Sequence, residues 1–242
     1  MKRVIIIRYS EIYLKGKNRG FFERAFEVNM RRALKGVDCL LTRQSGRYLV
    51  ENFDEEQTEE IVERLKKVFG LHTLSVAYET DADMDSIFGA AVLVCKPSGT
   101  FKVQAHRGDK KYPLTSVDIS RQLGGRLLSY NKNLKVDVHT PDFYVNIDVR
   151  EYNKALVFGE FIEGANGMPV GTAGKGLLLI SGGIDSPVAG HMMAKRGMNV
   201  ECLHFHSYPY TNDQAKEKVI DLATILSQYT GVTKLYTVSV TH

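Results

Sequence analysis

Residues 181–186 read Ser181-Gly182-Gly183-Ile184-Asp185-Ser186, and this stretch decides the fold of the C-terminal part of the chain. An apolar run at 177–180 precedes it, and a helix-compatible run at 187–196 follows and stops at Gly197. A buried strand, a glycine turn and a helix start therefore come in that order. This order directs backbone N–H groups and the positive end of a helix toward an anion. We predict a phosphate-binding turn here.

The side chains of the turn add to this prediction. Ser181 and Ser186 can donate hydroxyl hydrogen bonds to a phosphate, whereas Asp185 makes sense beside an anion only if a cation or a proton transfer is involved. The turn is not a Walker A loop, which requires G-x-x-x-x-G-K-[ST], and it is not G-x-G-x-x-G. The near match at Gly174-Lys175 fails because it lacks the leading glycine and continues with Gly176. A different class of nucleotide loop is indicated.

The chain around this turn predicts alternating strands and helices. We expect strands at 177–180, 199–205 and 234–240, helices at 187–196 and 213–229, and a loop at 206–212. This βαβαβ pattern predicts a parallel, doubly wound α/β sheet with its ligand at the carboxyl ends of the strands. Three strands with two helices make about half of a usual nucleotide-binding sheet. We therefore expect a missing C-terminal segment, or a second chain, to complete this domain.

The chain before the turn has an α+β pattern. The first part predicts a ferredoxin-like unit, with strands at 4–7, 38–42 and 48–53 and helices at 21–34 and 58–68. The second part predicts helices at 85–95 and 116–128 and strands at 101–105, 136–138, 143–150 and 154–160. A glycine-rich connection at 164–176 separates both from the C-terminal pattern. The predicted domains are 1–58, 59–165, a linker at 166–176, and 177–242.

Charge is distributed in blocks although the formal net charge is only +4. Residues 1–35 carry ten Lys/Arg and three Glu, residues 51–90 carry three Lys/Arg and eleven Asp/Glu, and residues 101–136 carry eight Lys/Arg and two Asp. Two basic blocks separated by an acidic one favour a polyanion partner such as nucleic acid, ordinary surface charge being the alternative.

Other classes of protein are disfavoured by composition. No apolar run approaches the roughly 20 residues that span a membrane. The three cysteines, Cys39, Cys95 and Cys202, are scattered and odd in number, so no disulfide framework is expected. We expect a cytoplasmic protein that is not embedded in a membrane.

The middle basic block forms a strand, a turn and a helix that could hold RNA. Its basic side chains could contact phosphates, and an aromatic ring in the turn could stack on an unpaired base. The alternative is a solvated basic face with the ring in the core. The residues in question are Lys102, Arg107, Lys110, Lys111, Tyr112, Arg121 and Arg126.

Two stretches resemble known domains. The Ser181–Ser186 motif resembles the PP-loop of ATP pyrophosphatases, over about 175–242, and residues 60–165 resemble the THUMP domain of RNA-modifying enzymes. The first resemblance implies that ATP is cleaved between its α and β phosphates, with Mg²⁺ as a cofactor. It assigns Asp185 to catalysis and Mg-pyrophosphate, and the adenosine part to Leu179, Ile180, His204 and Phe205. Metal ligation by His204 and His206 is the alternative for those histidines.

A third stretch, residues 7–19, together with the glycine-rich connection, extends the resemblance to the whole chain. The chain resembles the ThiI family of tRNA 4-thiouridine synthetases. The resemblance implies adenylation of the uridine at position eight of tRNA, a homodimer that holds the tRNA acceptor end, and a cysteine desulfurase as persulfide donor. It also implies sulfur transfer for thiamine thiazole synthesis. The family's sulfur-handling cysteine lies beyond this chain, and Cys202 does not match its position.

Two other functions are compatible with these patterns. One is another PP-loop amidotransferase or adenylating ligase acting on a small acid, although such an enzyme would not need the basic blocks of residues 1–135. The other is a tRNA-binding chain of a split enzyme, without catalytic activity alone. Separate measurements of ATP and tRNA binding discriminate them.

Overall fold

A computed structural model describes residues 1–9, 11–44, 46–207 and 212–240. The chain forms two compact units that are not contiguous in sequence. Unit 1 comprises Met1–Ile7, Cys39–Glu55 and Leu74–Ile162, and unit 2 comprises Arg8–Asp38, Glu56–Thr73 and Glu163–His242. Among the described residues, no helix is both long and apolar enough to cross a membrane.

The first elements follow the β-α-β-β-α-β order of a ferredoxin-like unit. They are β1 (Lys2–Tyr9), α1 (Arg19–Ala33), β2 (Leu40–Gln44), β3 (Arg47–Glu51), α2 (Thr58–Lys66) and β4 (Leu71–Asp81), with a 3-10 helix at Glu11–Asn18. The strands lie in the order β2-β3-β1-β4, and β3 is antiparallel to both β1 and β2. The predicted ferredoxin-like unit is confirmed, but its fourth strand, β4, and the 3-10 helix are additions to the prediction.

The next elements extend this sheet. They are α3 (Met84–Val94), β5 (Gly99–Arg107), α4 (Ser116–Tyr130), β6 (Leu134–Val136), β7 (Phe143–Arg150), β8 (Lys154–Phe158) and β9 (Ile162–Glu163). The sheet continues from β4 as β8-β7-β5-β6, with β5 parallel to β6 and β7. The predicted strand at 136–138 ends two residues earlier, because Asp137 accepts hydrogen bonds from the amides of His139 and Thr140 and forms a turn.

The core of this part of unit 1 lies between the sheet and two helices. Phe101 and Val145 of the sheet are fully buried, as are Ile87 of α3 and Ile119 and Leu123 of α4. Burial of each such side chain stabilises the fold by about 2 kcal/mol. Both helices begin at side-chain caps, which satisfy otherwise unpaired amides. Asp83 caps α3, and Thr115 forms a capping box with Asp118 at the start of α4.

Unit 2 contains the predicted parallel sheet. Its elements are β10 (Lys175–Leu179), α5 (Asp185–Lys195), β11 (Asn199–His206), α6 (Asp213–Thr230) and β12 (Leu235–Ser239). The strands lie in the order β10-β11-β12 and both pairings are parallel, which confirms the predicted βαβαβ topology. Part of the predicted loop at 206–212, residues 208–211, lies outside the described residues. The same holds for Ser45 in the predicted turn at 44–47.

The two helices of this sheet share one core. Ala194 of α5 and Leu226 of α6 pack in the same buried cluster as Val200 and Cys202 of β11. Successive right-handed crossovers in one direction place both helices on the same face of a parallel sheet. The helix α5 also lies close to its neighbours, because a Cβ added at Gly190 would lie 2.6 Å from Leu178 Cδ2.

The opposite face of this sheet carries exposed apolar side chains in the described part of the chain. The parallel register puts them side by side, with residue 179 opposite residue 203 and residue 205 opposite residue 238. Leu179 is 61% exposed and Phe205 is 49% exposed. A doubly wound sheet has helices on both faces, whereas α5 and α6 cover only one face of the described sheet. The exposed apolar face comprises Leu177, Leu179, Phe205, Tyr236 and Val238.

The glycine-rich connection is anchored within unit 2. Met168 and Val170 are buried, and the amides of Met168 and Gly171 donate to the carbonyl oxygens of Lys195 and Gly197. The side-chain Nδ2 of Asn29 in α1 donates a hydrogen bond to the carbonyl oxygen of Val170 at 3.2 Å. This segment therefore fixes the start of β10, and with it the turn that follows.

Candidate nucleotide site and RNA-binding surface

The Ser181–Ser186 turn lies between the carboxyl end of β10 and the first turn of α5. Its two serines brace it from within: the Ser181 amide donates to Ser186 Oγ at 3.1 Å, and the Gly183 amide donates to Ser181 Oγ at 3.4 Å. No described side chain caps the amino end of α5, whereas Asn212 caps α6 by accepting from the Ala215 amide. The amino end of α5 is thus left available for an anion.

Packing against the residues that the structure describes does not explain the two glycines of the turn. Among the described residues, a Cβ added at Gly183 would lie no closer than 3.6 Å to another atom, and one at Gly182 would meet only the Cδ of Lys218, also at 3.6 Å. Neither glycine has the positive φ that excludes other residues. A close approach by a ligand gives a reason for glycine that the fold itself does not.

The strand ends next to the turn present two kinds of residue. Ile180 and His204 are buried, while the side chains of Leu179 and Phe205 lie on the exposed face, because successive residues of a strand point to opposite sides. All four residues predicted for adenosine thus lie at the strand ends, but their side chains are divided between the two faces. Any shared contact with a nucleotide would have to use the backbone as well.

His204 has a distinct hydrogen-bonding state. Its Nδ1 lies 3.1 Å from the carbonyl oxygen of Ile180, and because a carbonyl only accepts, Nδ1 carries the proton. Its Nε2 is buried and has no hydrogen-bond partner among the described residues. This arrangement ties the end of β11 to the last residue before the turn. A buried ring nitrogen without a partner is also the kind of group that a ligand satisfies.

Two other features limit the chemistry of unit 2. The described residues contain no group of three or more His, Cys, Asp or Glu side chains suited to a metal ion, so the alternative of a histidine metal site gains no support. Burial raises the pKa of the Cys202 thiol, which disfavours the reactive thiolate.

Asp185 is exposed in the first turn of α5, where the helix dipole favours its negative charge.

In unit 1, two of the residues predicted to bind RNA make hydrogen bonds that anchor the basic turn after β5. Arg107 Nη1 donates to the carbonyl oxygens of Tyr112 and Leu114, at 3.1 and 3.3 Å. The Tyr112 hydroxyl donates to the carbonyl oxygen of Ala82 at 2.5 Å, and its ring packs against the core. Tyr112 thus anchors the turn through its hydroxyl and one side of its partly buried ring, and base stacking by this ring stays a prediction.

The other predicted RNA-binding residues differ in availability. Lys102 Nζ donates to the Val138 carbonyl oxygen, and Arg126 pairs with Asp85 at 2.6 Å and donates to the Met84 carbonyl oxygen. Lys110 and Lys111 are exposed on the anchored turn, and their ammonium groups have no ion pair within the described ranges. Arg121 is exposed and lies 3.9 Å from Asp118, a weak surface pair. Three cations are thus open to phosphate.

Three protein-family models match the chain in the order of this architecture. The ThiI ferredoxin-like domain matches residues 4–75, the THUMP domain matches residues 81–157, and the family described as thiamine biosynthesis protein (ThiI) matches residues 171–242. The chain belongs to the ThiI family. The two ThiI models lie at its two ends, and the turn at 181–186 falls within the second.

Individual relatives agree with this membership. The chain is 48% identical to a probable tRNA sulfurtransferase of Caldanaerobacter subterraneus subsp. tengcongensis, over 100% of this chain and 63% of the relative. It is 46% identical to a probable tRNA sulfurtransferase of Alkaliphilus oremlandii, over 99% of this chain and 62% of the relative. The chain therefore spans somewhat less than two thirds of the length of these ThiI relatives.

A solved structure has the same fold. A 4-thiouridine synthetase in complex with RNA and bound ATP superposes with a TM-score of 0.89 at 39% identity, over 100% of this chain and 62% of that one. A protein of Pyrococcus horikoshii superposes with a TM-score of 0.84 at 29% identity, over 98% of this chain and 78% of that one. The architecture of this ThiI chain is thus shared along its whole length.

Proposed function

We propose that this chain is the N-terminal and partial catalytic portion of an ATP-dependent tRNA sulfurtransferase, which activates the uridine at position eight of tRNA for conversion to 4-thiouridine. The observation that carries the proposal is the 181–186 turn. No contact with a described residue requires its glycines, and no described side chain caps the helix that follows it. The ATP and RNA in the name of the structural relative support both substrates. Sulfur transfer for thiamine thiazole synthesis is a further use of the same chemistry, in keeping with the family's description.

The chemistry follows from what such a turn can bind. An oxygen of the uridine attacks the α phosphate of ATP, the bond to the β phosphate breaks, and pyrophosphate leaves. Backbone N–H groups at the amino end of α5 stabilise the negative charge of the leaving pyrophosphate. The terminal sulfur of a persulfide, supplied by a cysteine desulfurase, then attacks the activated carbon of the uridine and displaces AMP, which leaves the new sulfur joined to the carrier through a disulfide. A second thiol, from outside this chain, attacks the carrier sulfur of that disulfide, so that 4-thiouridine is released and a new disulfide forms between the two thiol groups. Asp185 is the residue we assign to the pyrophosphate end of this site.

Mg²⁺ fits the residues at the turn. Asp185 supplies one exposed carboxylate, and Mg²⁺ in nucleotide sites is commonly held by one or two carboxylates together with phosphate oxygens and water. Mg²⁺ would neutralise charge on the leaving pyrophosphate when bound.

The exposed apolar face of the parallel sheet needs a cover. More than a third of each curated relative described above has no counterpart in this chain, since the chain covers 62% and 63% of them. We propose that this additional length packs on Leu177, Leu179, Phe205, Tyr236 and Val238 and completes the doubly wound domain. We also propose a cytoplasmic homodimer, with one copy holding the tRNA acceptor end and the other supplying the active site.

Separate binding measurements test this proposal. We expect the 242-residue chain to bind both tRNA and ATP in calorimetric titrations. Tight tRNA binding without ATP binding would instead favour a tRNA-binding chain of a split enzyme. ATP binding without tRNA binding would favour a PP-loop ligase that acts on a small acid.

Asp185→Ala tests the catalytic assignment. In the enzyme completed with the missing length, we expect this change to abolish pyrophosphate release, because the group assigned to Mg-pyrophosphate is lost, while tRNA affinity stays within about twofold. Release is followed with a coupled pyrophosphatase assay and affinity by filter binding. Undiminished pyrophosphate release would remove Asp185 from the mechanism.

The RNA-binding surface has its own test. Reversing Lys110 and Lys111 to Glu should weaken tRNA binding and lower the slope of log affinity against log salt by roughly two, about one for each phosphate contact. The anchoring contacts of Arg107 and Tyr112 do not involve these two side chains, so the turn stays folded. Lys132→Glu and Lys135→Glu, elsewhere in the same basic block, are the matched control. Equal losses in both variants would mean that only net charge matters.

A further inference from the structure

A lysine outside the predicted site lies beside the 181–186 turn. Lys218 is in the second turn of α6, and its Cδ is the nearest atom that a Cβ on Gly182 would meet, at 3.6 Å. The aliphatic stem of Lys218 therefore passes over the glycine at the centre of the candidate anion site. The sequence around Lys218 carries no motif, so this proximity arises only from the packing of α6 on the sheet.

The charge at the end of this stem is uncommitted. Lys218 is exposed, and no hydrogen bond or ion pair joins its ammonium group to another residue in the described part of the chain. The turn itself supplies N–H and hydroxyl donors and one carboxylate, Asp185, but no cationic side chain. Residues 181–186 would thus offer a bound polyphosphate neutral hydrogen-bond donors but no formal positive charge.

We propose that the ammonium group of Lys218 donates hydrogen bonds to the β and γ phosphates of the nucleotide and to the departing pyrophosphate. This inference rests on the proposed function and adds a binding residue to it. A flexible lysine suits this position because its ammonium is a compact point charge that can follow the pyrophosphate as it leaves. Hydrogen bonds from a charged donor to phosphate are also stronger than those from neutral groups.

Lys218→Met tests the proposal, because methionine keeps the stem and removes the charge. We expect this variant to bind ATP and pyrophosphate about tenfold more weakly, while its affinity for AMP changes by less than about twofold. Lys218→Arg should restore most of the pyrophosphate affinity. Lys216→Met is the matched control, since two residues along a helix point in directions about 200° apart. Calorimetric titration of the 242-residue chain with each of the three probes gives the affinities, and the urea midpoint checks folding.

The outcomes separate this inference from the proposed function. If the unmodified chain binds ATP and Lys218→Met binds pyrophosphate equally well, the role of Lys218 is wrong and the nucleotide site stands. An equal loss of AMP, ATP and pyrophosphate affinity would overturn the assignment to the pyrophosphate end. If the unmodified chain binds none of the three probes, both proposals fail.

Discussion

Gly183→Ala should lower the ATP affinity of the chain by tenfold or more without destabilising the fold. The added methyl group would meet no atom of the described residues closer than 3.6 Å, and the backbone at Gly183 does not have a positive φ. Gly→Ala at a compatible position changes stability by only about 0.4–1 kcal/mol, usually favourably. The methyl group would, however, occupy the space through which a phosphate approaches the backbone.

Gly190→Ala is the matched control. It should destabilise the fold and leave the ATP affinity of the folded chain unchanged. The new Cβ would lie 2.6 Å from Leu178 Cδ2 and 3.1 Å from Leu226 Cδ2, so these two leucine side chains would have to shift within the core shared by β10, α5 and α6. Overpacking of this kind destabilises a fold by about 1–3 kcal/mol. Urea denaturation and ATP titration of both variants measure the two effects. An ATP affinity unchanged by Gly183→Ala would mean that phosphates do not approach the turn closely.

Asp148→Ala should destabilise unit 1 by about 3 kcal/mol, because it removes a buried carboxylate that pairs with two arginines and contacts a histidine. Asp148 is 4% exposed and pairs with Arg47 Nη1, with Arg150 Nη1 at 3.7 Å and with His106 Nδ1 at 3.2 Å. Arg47 and Arg150 would remain mostly buried with their shared counter-charge gone. The free energy of unfolding from urea denaturation gives the size of the effect.

Two variants show whether the loss is electrostatic. Asp85→Ala removes an exposed carboxylate that also pairs with an arginine, Arg126, and should cost less than about 1 kcal/mol. The double variant Asp148→Leu with Arg47→Met should recover part of the stability lost in Asp148→Ala, because an apolar pair can replace a buried ion pair. If Asp148→Ala proves no more damaging than Asp85→Ala, the buried cluster contributes little.

Much of the fold could be predicted from local patterns. The alternation of apolar runs with glycine turns was enough for the parallel β10-β11-β12 sheet, since each strand and helix is signalled by its own residues. The strand β4 was not predicted, and it is the element that completes the ferredoxin-like unit and continues into the rest of the sheet. The link from β4 to the rest of the sheet is its pairing with β8, about 75 residues away along the chain. A local sequence pattern cannot predict such a pairing.

The RNA-binding prediction shows where composition stops being informative. The basic block at 101–136 is visible in the sequence, but whether a given cation is available depends on distant partners. Arg126 is paired with Asp85, and Tyr112 is bonded to the carbonyl oxygen of Ala82, both from the segment before β5. Lys110 and Lys111 remain candidates because the tertiary structure leaves them exposed. Individual contacts with tRNA therefore stay predictions.

The sequence by itself determined the order strand, glycine turn, helix, and so the kind of ligand that residues 181–186 favour, because the backbone geometry of a turn depends on adjacent residues. The tertiary structure alone decided what surrounds the turn. It separated Gly182 and Gly183, which have room for a side chain, from Gly190, which has none. It also brought Lys218 of α6 beside Gly182. Such neighbours arise when a helix packs on a sheet, and packing is a property of the whole unit.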